Sequence, residues 1–165
     1  MFGTVSEEMQ VNVPANQAWK LYGTLQLAKL VGEKLPNVIE RIDLVEGDGG
    51  VGTVLNIALA PAPGSGGSSS SYKEKFTKID EEKRVKETEV IEGGYLELGF
   101  TLYRIRFEII ETGKDSCISR CTIEYDVKEE AATNASLVSI QPLLLVMETA
   151  ANHLLNLGPT PSNEN

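Results

Sequence analysis

From Val38 to Val127 the chain repeats one pattern, a run of strand-forming residues followed by a short break. The runs are Val38–Glu46, Val54–Ala60, Tyr72–Ile79, Val85–Ile91, Tyr95–Ile110 and Cys117–Val127. Asp80–Lys83, Glu92–Gly94 and Glu111–Asp115 are too short to carry a crossover helix, so the strands they join must run antiparallel. This meander limits the fold more than any other feature, because it fixes both the class of sheet and the order of neighbours. An earlier strand is expected over Thr4–Val13, with Val5, Met9, Val11 and Val13 as its apolar positions. In Val38–Glu46 the apolar positions available to a core are Val38, Ile42 and Leu44.

Two helical stretches flank the meander. Pro14 opens PANQAWKLYGTLQLAKLVGEKLP, which Gly23 and Gly32 interrupt and Pro36 closes, so two short helices are expected. Near the C-terminus, Ile140, Leu144, Met147, Ala151 and Leu154 step by fours and threes along one helical face. Pro142 is tolerated only in a first turn, which puts the helix start near Ser139–Gln141. Leu143, Leu144, Leu145 and Met147 give it bulk suited to packing across a sheet. The expected architecture is α+β: a curved antiparallel sheet of about seven strands wrapped around a long C-terminal helix, with two short helices and an internal cavity. Residues 1–165 form one domain, with a flexible hairpin tip at 61–70 (PAPGSGGSSS) and a frayed tail at 158–165.

Charge and cysteine content narrow the function classes. The net charge of −9, with no Lys/Arg-rich run, argues against nucleic acid and anionic membranes as partners. No apolar run reaches the roughly 18 residues of a membrane span, and MFGTVSEEMQV lacks the features of a signal peptide. A cytoplasmic location is expected. Cys117 and Cys121 fall on one extended segment, where four residues at about 3.3 Å each exceed disulfide reach. They read as packed, reduced thiols, and with His153 distant in sequence they imply no metal site. GDGGVGT (Gly47–Thr53) joins two strands and lacks a P-loop ending, so its glycines are expected to supply positive φ rather than to hold phosphate.

Ser71–Ile109 carries the residues capable of chemistry. Tyr72, Glu74 and Phe76 share one face of a strand by its two-residue period. Thr101, Tyr103, Ile105, Phe107 and Ile109 form a mostly apolar face, opposite Arg104, Arg106 and Glu108. The first two sets should line the cavity and the third should face water. On spacing alone, Glu74 and Lys86 also fit a solvated pair on a charged strand.

Taken together, GDGGVGT, YKEKF (Tyr72–Phe76), IEGGYLELG (Ile91–Gly99), DSCISRCTIEYDVK (Asp115–Lys128) and the terminal helix resemble the plant Bet v 1 / pathogenesis-related-10 family, and within it the norcoclaurine synthase branch. The resemblance runs from about Thr4 to Leu157. The glycine loop marks only the superfamily, whereas YKEKF, the following lysine and IEGGYL are specific to the branch. Members of that branch condense an arylethylamine with an aldehyde using a tyrosine, a glutamate, a lysine and an aspartate. Carried over, the resemblance assigns catalytic roles to Tyr72, Glu74 and Lys86, and places Tyr103, Ile105, Phe107 and Phe76 against substrate. The aspartate falls on Ile105.

Imine formation needs a polarised carbonyl, a proton acceptor and loss of water, which an ammonium, a carboxylate and a phenol can serve without a second acid. Ring closure onto the iminium asks for more, and Ile105 removes an anionic partner for those cationic steps. In that respect the chain is similar to norbelladine synthases, which join tyramine to 3,4-dihydroxybenzaldehyde and stop at the imine norcraugsodine. The resemblance thus implies condensation without cyclisation, no bound cofactor, and a separate NADPH-dependent imine reductase to reach norbelladine. Two alternatives stay open: norcoclaurine synthesis from dopamine and 4-hydroxyphenylacetaldehyde, and non-catalytic carriage of a small molecule.

Overall fold

The computed structural model describes residues 1–61 and 70–157. Strand β1 (Phe2–Val11) leads into helices α1 (Ala15–Tyr22) and α2 (Gln26–Lys34). Then follow β2 (Ile39–Glu46), β3 (Val54–Leu59), β4 (Ser70–Asp80), β5 (Val85–Gly93), β6 (Phe100–Gly113) and β7 (Ser116–Val127). Short 3-10 segments occupy Gly94–Leu98 and Glu129–Leu137, and α3 (Gln141–Leu157) closes the chain. The strands form one antiparallel sheet in the order β1-β7-β6-β5-β4-β3-β2, so the meander β2 to β7 is laid out in sequence and β1 closes beside β7. Most of the hairpin tip expected at 61–70, and all of the tail at 158–165, lie outside the described residues.

The core lies between one face of the sheet and the helices. From β6 and β7 it takes Tyr103, Ile105, Phe107, Ile109, Cys117, Cys121 and Ile123. Helix α3 contributes Val146, Met147, Ala150 and Leu154, while α1 and α2 contribute Trp19, Leu21, Tyr22, Leu27, Leu30 and Val31. Both cysteines are buried and free. The burying face of α3 is thus wider than the expected stripe and includes Val146 and Ala150, while Leu145 points outward and is exposed.

Several expectations need correction. Gly32 does not interrupt a helix; it lies inside α2. Its propensity cost is about 1 kcal/mol, whereas burying Leu27, Leu30 and Val31 is worth about 1.5–3 kcal/mol apiece. Gly23 does end α1, its N–H bonding to the Trp19 carbonyl at 2.7 Å. Leu44 is exposed, because β2 is an edge strand with one neighbour. Tyr95–Leu98 belongs to a 3-10 turn rather than to a strand. Gly93 and Gly94, at φ +75° and +56°, set that turn against β4: a Cβ on Gly93 would lie 2.7 Å from the Ser71 carbonyl oxygen. Thr101 faces outward because the β6–β7 register shifts between Phe100 and Leu102, so Phe100 takes the buried position. The expected positive φ in the glycine loop is present at Gly47, Gly49 and Gly52.

Met147 is fully buried where α3 meets the core. Met147→Ala should cost about 2–5 kcal/mol in urea unfolding, whereas Leu145→Ala on the opposite, exposed side should change stability by less than about 1 kcal/mol.

Candidate active site

Four adjacent strands build the floor of the site. Register sets Glu74 of β4 between Leu55 of β3 and Val90 of β5. Thr88 of β5 lies between Phe76 and Ile105, and Lys86 between Ile79 and Phe107. Two bulges flank this set. Ile91 is the unpaired residue between the Lys73–Glu92 and Glu74–Val90 pairs, and Thr77 is passed over between Phe76–Thr88 and Lys78–Glu87. Between the two slips Glu74–Phe76 pairs with Thr88–Val90 without a break, and strand alternation leaves Glu74, Phe76, Lys86 and Thr88 all open onto one chamber.

The chamber has a volume of about 90 Å³ and is otherwise lined by hydrocarbon, including Leu27, Val31, Ile57 and Val146. Tyr72, Ile105 and Leu143 also border a second, larger chamber of about 530 Å³ and so form the neck between the two. The larger chamber is walled by Tyr95 and Tyr103, whose rings stack 4.2 Å apart at 7°. The Tyr95 hydroxyl donates to the Leu137 carbonyl at 3.2 Å.

Burial of charge controls the electrostatics. Lys86 is 4% exposed. Its ammonium donates to the main-chain carbonyls of Tyr22 (3.2 Å) and Thr24 (3.4 Å) and lies 4.0 Å from the centre of the Phe76 ring. Burial lowers its pKa from 10.5 to about 8, against the opposing pull of Glu74. Burial holds the Glu74 carboxyl above the ordinary carboxylate range, opposed by the charge of Lys86 and by a hydrogen bond that the Thr88 hydroxyl donates at 3.4 Å. The surface that Glu74 leaves uncovered borders the chamber. Tyr72 is held well above its usual range, by burial first and then by Glu74 and Tyr95. The site therefore couples a cation and an anion that burial pushes in opposite directions, Lys86 toward losing its proton and Glu74 toward keeping one.

All seven residues singled out from the sequence border this two-chambered cavity. Tyr72, Glu74, Phe76, Lys86, Ile105 and Phe107 border the small chamber, and Tyr103 borders the large one. Ile105, 8% exposed, presents hydrocarbon at the neck. Sequence reasoning missed Thr88, Tyr95 and Leu143. Thr88 was findable, since it follows Lys86 by one strand period. Among the described residues no group of three or more His, Cys, Asp or Glu could hold a metal ion. No helix there is long and apolar enough to cross a membrane.

A seven-stranded antiparallel sheet closed by a C-terminal helix over a cavity with a tyrosine, a glutamate and a lysine at its neck and floor is the arrangement of a small-molecule-binding α+β protein. Residues 1–156 match the family described as Pathogenesis-related protein Bet v 1, and the chain belongs to that family. It is 46% identical to norbelladine synthase of Narcissus pseudonarcissus over 94% of this chain and 93% of that one. It is 40% identical to S-norcoclaurine synthase 2 of Papaver somniferum, over 90% of this chain and 63% of that longer one. Among solved structures, norcoclaurine synthase from Thalictrum flavum in complex with dopamine and hydroxybenzaldehyde superimposes with a TM-score of 0.82 at 35% identity, covering 94% of this chain and 88% of that one.

The lowered pKa of Lys86 gives a stability signature. Between pH 8 and 10.5 the unfolded chain holds more protons on this lysine than the folded one, so the penalty for burying it shrinks as pH rises. From pH 7.5 to 9.5 the wild type should gain stability relative to Lys86→Met, with a slope of at most about 1.4 kcal/mol per pH unit in urea unfolding.

Proposed function

We propose that this protein condenses an arylethylamine with an aromatic aldehyde and releases the imine, with tyramine and 3,4-dihydroxybenzaldehyde as its substrates and norcraugsodine as its product. The observation that carries this reading is the convergence of Tyr72, Glu74 and Lys86 on one chamber whose neck holds Ile105 instead of an acid. The similarity to norbelladine synthase supports the same choice of substrates.

The chemistry follows from the groups present. The Lys86 ammonium hydrogen-bonds the aldehyde oxygen and makes its carbon more electrophilic. Glu74 takes the proton that the amine must lose, and returns it to the carbinolamine hydroxyl as that leaves as water. Tyr72, at the neck, orients the substrates across the two chambers. The balance is amine plus aldehyde giving imine plus water, with no redox change. At the position where an acid would support ring attack on an iminium, Ile105 offers only hydrocarbon, so the reaction ends at the imine. Reduction to the secondary amine is then the task of a separate NADPH-dependent reductase. Two buried free cysteines favour the cytosol as the compartment.

Substrate pairing tests the proposal. Tyramine with 3,4-dihydroxybenzaldehyde should give imine, captured as norbelladine when a reductant is added, faster than the uncatalysed background by mass spectrometry. Glu74→Gln and Lys86→Met should each lower turnover by about 10²–10⁴-fold while leaving aromatic ligand binding largely intact. Activity should fall on the alkaline side near pH 8, where Lys86 loses its proton. Cyclised product from dopamine and 4-hydroxyphenylacetaldehyde would instead identify a norcoclaurine-type enzyme. Background rates in both mixtures, with retained binding, would identify a carrier. Ile105→Asp should gain cyclisation.

A further inference from the structure

The hydrogen bonds of Lys86 run to the chain between α1 and α2 rather than to Glu74, although Glu74 borders the same chamber. Tyr22 is the last residue of α1, and its carbonyl is one that a helix end leaves without an internal partner. It also lies at the end of the helix where the backbone dipoles place negative potential. A lysine ammonium has three donors, so two carbonyls leave one N–H for the chamber. The lysine thereby caps α1 from another strand, and α1 in turn holds the charge apart from the carboxylate.

The position of the second carbonyl depends on a side chain. The Thr24 hydroxyl donates to the Lys20 carbonyl at 2.7 Å and accepts from the Gln26 N–H at 3.2 Å. One threonine thus ties the end of α1 to the start of α2, and its own carbonyl, between those two anchors, meets Lys86.

We propose that Thr24 is a positioning residue for Lys86: its hydroxyl fixes the α1–α2 junction so that the Tyr22 and Thr24 carbonyls hold the buried ammonium charged and apart from Glu74. Its influence on catalysis rests on the condensing-enzyme reading; its influence on Lys86 does not. Of the titratable groups around the lysine, Glu74 of β4 faces it and favours its charge. Glu74 in turn raises Tyr72 of the same strand, and the Tyr22 ring of α1 packs on Phe107 at 5.3 Å between centroids. Strand β6 and helices α2 and α3 line the chamber with apolar side chains alone.

Losing the hydroxyl frees the junction, weakens the carbonyl pair and leaves burial to favour the neutral amine. The titration of Lys86 can be followed directly by NMR of isotopically labelled lysine, with Lys86→Met used for assignment. In the wild type the transition is expected near pH 8. Thr24→Val should lower it by about one unit, the worth of one charged hydrogen bond. Thr24→Ser, which keeps the hydroxyl, should restore it to within a few tenths. Thr24→Ala removes the same hydroxyl without branching and carries the test if Thr24→Val does not fold. In the condensation assay the alkaline limb should move with the NMR transition, and kcat should fall while the KM for amine stays near wild type. A Lys86 transition that is unchanged in Thr24→Val or Thr24→Ala, even with a lower melting temperature, would overturn the proposal. Because the NMR transition reads the lysine itself, it decides this point whether or not amine and aldehyde are turned over.

Discussion

A carboxylate and an ammonium buried in the same hydrocarbon chamber set the conditions that the rest of the structure has to meet. Neither group can be desolvated cheaply, and mutual attraction alone seldom repays the cost. Here Lys86 is compensated by two backbone carbonyls and an aromatic face, and Glu74 by the Thr88 hydroxyl and the opposite charge of Lys86. The supports come from α1, β4 and β5, so the site holds together only if helices and sheet dock in one arrangement. Burial thus makes the ammonium readier to lose its proton and the carboxyl readier to hold one.

The outer face of the same strands performs the complementary task. Arg104 pairs with Glu89 and Glu124, and Arg106 with Glu87 and Glu124, linking β5, β6 and β7 in one ladder. Single pairs of this exposure contribute little to stability. Their value is in register. A one-residue slip of β6 would turn Arg104 and Arg106 into the core and Ile105 out to water. The ladder therefore protects the apolar identity of the neck as much as it protects the fold.

The strands and the cavity-facing positions were legible in the sequence because alternation with a period of two is a local property. Ile105, Tyr103 and Phe107 are buried where alternation put them. What escaped is what alternation cannot count. The extra residue at Ile91 and the skipped Thr77 each shift the phase without any compositional mark, and the slip near Phe100 sent Thr101 outward. Tyr95–Leu98 has the composition of a strand, but the conformations of Gly93 and Gly94 turn it aside, which is how Tyr95 comes to stack on Tyr103. The acceptors of Lys86 were out of reach for a different reason: they are main-chain carbonyls, which every residue carries, and only tertiary docking selects two of them.

The division of the cavity at Tyr72, Ile105 and Leu143 separates two kinds of change available to this scaffold. The charged pair sits on paired central strands, where any substitution disturbs buried charge. Much of the larger chamber is walled instead by the turn at Gly94–Leu98, by Leu137 and by the first turn of α3, whose side chains make no hydrogen bond to that pair among the described residues. Side chains of the vestibule can thus change shape without disturbing the buried charge on the floor. Ile105 sits at the partition itself, so a change there would face both chambers at once.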